Sequence, residues 1–312
     1  MLGWAPHRPT PEEMSPEARD LLQHKRSPAE RDRRKAAIKA EKQAPPAHRP
    51  VWRNRRWLSI ALVNLMFVAS FQFDIQLVEG ALTASRFVGF HMADLNSALQ
   101  VMLAYKTVVI NLVIGTTTVL LMWLLLGGRS FCSWVCPYHL VAELAEMLHL
   151  KLGMRDHPMH RGMRTALWLV FSALAVITGY TVFETISPVG ILSRALIYGG
   201  GVALVWVGAL LLFEIFYTRR FWCRYACPIG LTYGLVGTVS PIKVAYDAEA
   251  CLHEGECRQV CLVPHVLHMT RMGHNAEVKM DIGADCTRCG LCIDACPTGA
   301  LKFRIKGLEA RS

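Results

Sequence analysis

The sequence predicts a membrane all-α domain, a four-helix transmembrane unit, followed by a small α+β domain. Three observations predict it. Four apolar segments are each long enough to cross a bilayer, the basic residues concentrate in alternate connections, and the cysteines gather toward the C-terminal end. Hydrophobic residues make up 53% of the 312-residue chain and charged residues only 19%, so charge and apolarity must be segregated along it.

Residues 1–56 form a charged tail, with "HKRSPAERDRRKAAIKAEK" and "RPVWRNRRW" as its basic runs. A short helix capped by Ser27 with Pro28 at its first position and a flexible solvated tail are both open readings. The tail is too long and polar for a secretory leader. Residues 57–240 hold the expected spans: Trp57–Val78, Val101–Leu126, Thr165–Ile186 and Ala195–Tyr217. Their only charges, Asp74, Lys106, Glu184 and Glu214, lie near segment ends. The second-to-third connection carries Arg129, Lys151, Arg155, Arg161 and Arg164, whereas the other two carry Arg86 and Arg194. The positive-inside rule then predicts a multi-pass protein of the bacterial inner membrane with both termini cytoplasmic and the lipid bilayer as its surroundings. The net charge of +10 comes largely from the tail, without aromatic–basic interleaving along the body, which excludes a nucleic-acid surface.

Residues 241–312 contain seven of the eleven cysteines. A domain this small has a thin core and needs staples. In "DCTRCGLCIDACPTGAL", Cys286, Cys289, Cys292 and Cys296 follow the Cys-x2-Cys-x2-Cys-x3-Cys-Pro spacing of bacterial ferredoxins. Three thiolates on a tight loop reach one cube and the fourth reaches a second, so a ferredoxin-like 4Fe–4S domain is expected here. The partner motif "ACLHEGECRQVCLVPHVL" supplies Cys251, Cys257 and Cys261, with Glu254 at the second position. Because the fourth cysteine of each motif serves the other cluster, Cys261, Cys286, Cys289 and Cys292 make one complete 4Fe–4S site. The other has Cys251, Cys257 and Cys296 with Glu254. A second 4Fe–4S cluster with an oxygen or imidazole ligand (His253 is adjacent), a 3Fe–4S cluster, or no cluster are the open readings.

"GRSFCSWVCPYHL" and "RRFWCRYACPIGL" form an internal repeat. Arg129 falls on Arg220, Cys132 on Cys223, Cys136 on Cys227 and Pro137 on Pro228, each set following an apolar pair. If the chain stays helical there, the cysteines of each pair share one face, and the two pairs together offer four thiolates for a shared redox or metal site. Cluster, single metal and reversible dithiol all stay open.

The paired Cys-x3-Cys-Pro motifs, "PHVL" and "CTRCGLCIDACP" resemble the NapH/MauN family of ferredoxin-type membrane proteins over roughly residues 55–305. The resemblance implies a quinol dehydrogenase membrane component that carries electrons from the quinol pool or a cytoplasmic donor to a periplasmic redox partner, alongside ferredoxin-type or cytochrome subunits. The alternative is a redox maturation factor for a periplasmic metalloenzyme or amine dehydrogenase. No residue is expected to be catalytic by itself. Asp74, Glu79, Arg86, His91 and Glu184 are candidates for contact with a quinone head or a partner, set against their reading as simple interfacial polar groups.

Overall fold

A computed structural model of the protein describes residues 8–43, 50–74, 78–87 and 90–306. Two helices lead the chain, α1 (Pro16–Arg26) and α2 (Pro28–Gln43). Ser15 and Ser27 start them, each accepting from a backbone N–H three residues on, with proline at the first helical position. Next come α3 (Val51–Gln72) and an antiparallel sheet of β1 (Val78–Ala81), β2 (Ala84–Phe87) and β3 (Phe90–Ala93), in which Gly80 pairs with Ser85 and Ser85 with Met92. Then follow α4 (Leu95–Tyr105), α5 (Ile110–Leu126), α6 (Ser130–Trp134) and α7 (Pro137–Lys151). The second half repeats this theme with α8 (Gly162–Thr178), α9 (Val182–Ile186), α10 (Pro188–Tyr198), α11 (Ala203–Phe216), a π-helical turn (Trp222–Ala226) and α12 (Pro228–Val239).

The expected four-helix transmembrane domain is not found. Among the described residues no helix is long and apolar enough to cross a membrane, against the 20 or so apolar residues a span needs. The physical reason is local. The second expected segment breaks where Lys106 turns left-handed (φ 52°), which separates α4 from the 17-residue α5. The third stops at Gly179 (φ 65°) after 17 residues. The fourth is divided at Gly199–Gly201, leaving α11 with 14 residues. The first begins earlier than expected, so that α3 spends its opening turns on Trp52, Arg53, Arg55 and Arg56. The expected multi-pass placement in an inner membrane, with lipid around it, falls with these spans.

The C-terminal unit has β4 (Ile242–Asp247) at the centre of an antiparallel sheet, between β5 (Lys279–Asp281) and β6 (Leu301–Ile305). Val244 pairs with Phe303, and Ala245 with both Lys302 and Asp281. Two short helices, α13 (Glu256–Gln259) and α14 (Leu291–Asp294), and a 3₁₀ stretch over Pro264–Thr270 complete it. Its core joins Val244, Tyr246, Leu267 and Leu301 to Cys261, Cys289, Cys292 and Cys296. The helical core stacks Trp123, Phe131, Phe183, Trp222 and Tyr233 around Cys136 and Cys227. Both cores are therefore built directly on cysteines.

The halves of the helical unit meet at a backbone-to-backbone approach. Gly128 has φ 61°, and a Cβ there would lie 2.5 Å from both Gly237 N and Tyr233 O. Neither backbone atom can step aside as a flexible side chain would. Gly128→Ala is expected to lose at least ~2 kcal/mol from left-handed strain and the clash together, lowering the thermal unfolding midpoint by at least ~4 °C. Differential scanning calorimetry of the holoprotein checks this, and an unchanged midpoint would contradict the close approach.

Candidate metal centres

All eleven cysteines are free of disulfides. Among the described residues no three His, Cys, Asp or Glu side chains stand close enough to hold a single metal ion. The cysteines instead ring three separate cavities.

Cys261, Cys286, Cys289 and Cys292 line the first, closed by Val244, Val266, Leu267 and Ile282. The loop over it turns at Arg288 (φ 52°) and Gly290 (φ 76°). A Cβ on Gly290 would fall 2.5 Å from the Trp52 ring, so only glycine fits. The Arg288 backbone N–H donates to Cys286 Sγ at 3.4 Å. The four sulfurs, an enclosing apolar shell and an N–H turned to sulfur fit an iron–sulfur cluster.

Cys251, Cys257 and Cys296 line the second cavity with His253, Glu254 and Thr270. Its loop copies the first. His253 (φ 59°) and Gly255 (φ 92°) take the left-handed positions of Arg288 and Gly290, and His253 N–H donates to Cys251 Sγ at 3.3 Å. Glu254 thus stands at the backbone position held by Cys289 in the other loop. His253 Nδ1 is engaged with Thr270 O at 2.9 Å.

Cys132, Cys136, Cys223 and Cys227 line the third cavity together. The chain does not run on as helix through either pair, as the shared-face argument required. Cys136 N–H bonds Phe131 O and Cys227 N–H bonds Trp222 O, five residues back in both turns. Cys136 (φ −67°, ψ 118°) and Cys227 (φ −69°, ψ 111°) then start new helices with proline next. The two pairs face each other across the repeat. Arg129 and Trp222 also line the cavity, and their Nε and Nε1 groups are buried with no hydrogen-bond partner among the described residues. Unpaired buried donors of this kind fit an anionic cluster at its thiolates.

The cavities are linked. Val263 and Thr287 line both the first and the third. Ser133 Oγ donates to Thr287 O at 2.6 Å and Trp134 Nε1 to Arg288 O at 3.1 Å, which seats the cluster loop on the first cysteine turn. The short segments Cys257–Cys261 and Cys292–Cys296 join the second cavity to the first.

A buried ion network surrounds them. Asp285, beside Cys286, takes Arg164 Nη2 at 2.9 Å, Arg129 Nη1 at 3.0 Å and His265 Nε2 at 2.9 Å. Burial opposes ionisation of this carboxyl, but Arg129, the His265 hydrogen bond and Arg164 outweigh it and hold it well below the usual carboxylate range. On α7, His139, Glu143 and Glu146 share a face. Glu143 pairs with Arg56 and Glu146 with Arg220. His139 Nδ1 lies 3.9 Å from Cys223 Sγ and its Nε2 lies 3.3 Å from Arg220 Nη1. Burial, then Arg220, push the His139 pKa far down, so it stays neutral.

Sequence reasoning misses Lys25, whose Nζ donates to Ala248 O and Cys251 O, both at 2.6 Å, beside the second cavity. A lysine in a polar tail gives no sign of this. It also passes over Asp285, for which adjacency to Cys286 was the available signal. Of the expected polar contacts, Asp74 and Arg86 are exposed. Glu184 accepts from Ser97 Oγ, and none of the three lines a cysteine cavity. The side chains of Glu79 and His91 lie outside the described residues.

Two 4Fe-4S binding domain models match the chain, one over residues 108–155 and 200–244 and the other over residues 284–302. The first spans both Cys-x3-Cys-Pro turns, and the second spans the ferredoxin-type loop. The methylamine utilization ferredoxin-type protein MauN of Methylorubrum extorquens is 33% identical over 82% of this chain and 89% of its own length. The ferredoxin-type protein NapH of Escherichia coli is 30% identical over 78% and 88%, and MauN of Paracoccus denitrificans 35% over 75% and 83%. No solved structure matches.

Asp285→Asn removes the charge while keeping the shape. Arg164 is then left buried without its ion-pair partner and Arg129 keeps only the cysteine side, at an expected cost of about 3–5 kcal/mol. Because folding lowers the proton affinity of this carboxyl, its stabilisation is full above the unfolded pKa near ~4 and is lost only as pH falls through the depressed folded value. Chemical denaturation at pH 7 should show the whole loss in the variant. A change below ~1 kcal/mol would mark the cluster of charges as energetically idle.

Proposed function

The chain belongs to the NapH/MauN family of ferredoxin-type proteins, and from that membership we propose that it takes electrons from a quinol and hands them to a redox partner subunit of ferredoxin or cytochrome type. It is an iron–sulfur electron-transfer protein carrying 4Fe–4S clusters. Such clusters, when bound, supply the one-electron carriers. The single observation that carries the donor-to-partner reading is the sequence of three cysteine-lined cavities, the first and third sharing Val263 and Thr287 as a wall.

In this reading Cys261, Cys286, Cys289 and Cys292 hold one 4Fe–4S cluster. Cys132, Cys136, Cys223 and Cys227 hold another across the repeat. Cys251, Cys257 and Cys296 hold a third at which Glu254 replaces a thiolate. A carboxylate is a harder and weaker ligand for cluster iron than a thiolate, so this last site is labile at one corner. The chain's own contribution is to exclude water, to turn N–H groups toward sulfur, and to set buried arginines beside the thiolates. Arg129 and Arg220 both act this way next to the third cavity.

Anaerobically prepared protein should lose about four irons and four sulfides on Cys289→Ser. Oxidised wild-type protein should show a 3Fe-type EPR signal that Glu254→Cys abolishes, a reading supported by the backbone position that residue 254 shares with Cys289 of the other loop. Zinc in place of iron, or an EPR spectrum indifferent to Glu254→Ala and Glu254→Cys, would defeat the ligand assignment. Reduction of the iron–sulfur absorbance by added quinol tests the donor. Intact clusters that quinol leaves oxidised would shift the reading to a maturation role.

A further inference from the structure

His139 lines the third cavity beside the four cysteines and is 2% exposed. It follows Pro137 by two places in the first turn of α7, so the helix start that sets Cys136 also brings this ring to the cavity. One ring nitrogen, Nδ1, lies 3.9 Å from Cys223 Sγ, and the other, Nε2, lies 3.3 Å from Arg220 Nη1. The contact crosses the repeat: the ring follows the first cysteine turn, and both its partners lie at the second.

These two neighbours fix which nitrogen carries the proton. A guanidinium donates only and has no acceptor. Nε2 must therefore accept from Arg220, and the single proton of the neutral ring is left on Nδ1. A second proton would set N–H against N–H at Arg220, in a place closed to water. Glu146 accepts from Arg220 Nε and holds the guanidinium where it faces the ring. A cluster-bound thiolate carries no proton, so Nδ1–H is the donor and Cys223 Sγ the acceptor. The other half of the repeat offers no such ring. Gly230 stands at the position equivalent to His139, and a Cβ there would lie 3.1 Å from Arg129 Nη2. Arg129 takes that space and faces Cys132 with its charge. A cation thus stands by the first cysteine pair and a neutral N–H donor by the second.

We propose that His139, as its Nδ1–H tautomer, donates to Cys223 Sγ and raises the reduction potential of the cluster held by Cys132, Cys136, Cys223 and Cys227. The inference rests on that cluster assignment and names a residue that tunes it. An N–H aimed at a ligand sulfur favours the negative charge that an added electron brings, so it stabilises the reduced form more than the oxidised one. His139 acts through Cys223 and is a positioning residue, with Arg220 setting its tautomer. The neutral ring does this without adding a further positive charge among Arg220, Arg56 and Arg129.

The test uses full-length holoprotein prepared anaerobically, with iron and sulfide assays and potentiometric EPR titration. Cys132→Ala identifies the signal and midpoint that belong to this cluster. Electron spin echo spectra of reduced wild-type protein carrying isotope-labelled histidine should show a nitrogen coupling on that signal, weaker than a nitrogen bound to iron gives. His139→Leu should remove the coupling and make the reduction constant about three- to tenfold smaller at unchanged iron content, as the loss of one hydrogen bond implies. At about 59 mV per decade for one electron, the midpoint falls by about 28–59 mV. His139→Asn, whose amide N–H stands in for Nδ1–H, should bring the constant back to within about twofold of wild type. Absence of the coupling, or one as strong as a direct iron ligand gives, would overturn the assignment. So would a midpoint that His139→Leu leaves unmoved, or one that His139→Asn leaves as low as His139→Leu does. The coupling is read on wild-type protein and decides the matter even where His139→Leu loses its cluster. Iron and sulfide that Cys132→Ala leaves unchanged sink the cluster assignment itself. A cluster that Cys132→Ala removes, but that shows no histidine coupling, sinks the hydrogen bond alone.

Discussion

Asp285 is the point on which the arrangement turns. Its carboxylate gathers a cation from the first cysteine turn, Arg129, another from α8, Arg164, and the His265 ring from the 3₁₀ stretch. It stands one residue before the first ligand-type cysteine of the ferredoxin-type loop. A carboxylate in so buried a place is tolerable only because its partners are buried with it and well placed. The same contacts that satisfy its charge bring the loop onto the helical unit. Arg288 continues the joint by donating to Ile242 O, Gly237 O and Gly127 O, so two separately cored units share one polar seam. The shared wall of Val263 and Thr287 between two cysteine cavities follows from that seam.

The repeat places a second cationic centre opposite the first. Arg220 occupies the position equivalent to Arg129 and, like it, is almost wholly buried. It adopts a left-handed backbone (φ 54°) that a non-glycine residue holds only when its surroundings insist. Glu146 and His139 supply that insistence, aided by the α7 face that also carries Glu143 for Arg56. Buried guanidinium groups are expensive unless they meet negative charge. Here they meet carboxylates on one side and sulfurs on the other, which is an economical use of the same cations for holding the fold and for balancing thiolate charge.

Much of the candidate site was legible from spacing alone, because cluster ligation demands particular residue types at particular intervals. The overlay of Cys251, Glu254 and Cys257 on Cys286, Cys289 and Cys292 reappears as two loops with matching left-handed residues. The repeat of Cys132/Cys136 in Cys223/Cys227 reappears as two turns that close on the same five-back hydrogen bond and share their dihedral angles at Cys136 and Cys227. The architecture around them was less legible. Apolar length was read as span length, yet Lys106, Gly179 and the Gly199–Gly201 run interrupt the helices. A left-handed lysine inside an apolar stretch leaves no trace in composition. Contacts such as Lys25 to Cys251 depend on tertiary placement, which short-range pattern does not encode.

The grip of Lys25 on Ala248 and Cys251 ties the beginning of the chain to residues 223 and 226 positions later. Synthesis runs from the N-terminus at roughly 5–20 residues per second, so Lys25 emerges roughly 10–45 s before its acceptors exist. Helix α1, with Met14 and Ala18 buried beside it, must therefore wait, undocked, while the whole helical unit is made. The second cysteine loop acquires this brace only after Ala248 and Cys251 have themselves left the ribosome. Its completion is thereby a late event in the life of each new molecule, set by the order of translation rather than by local folding speed.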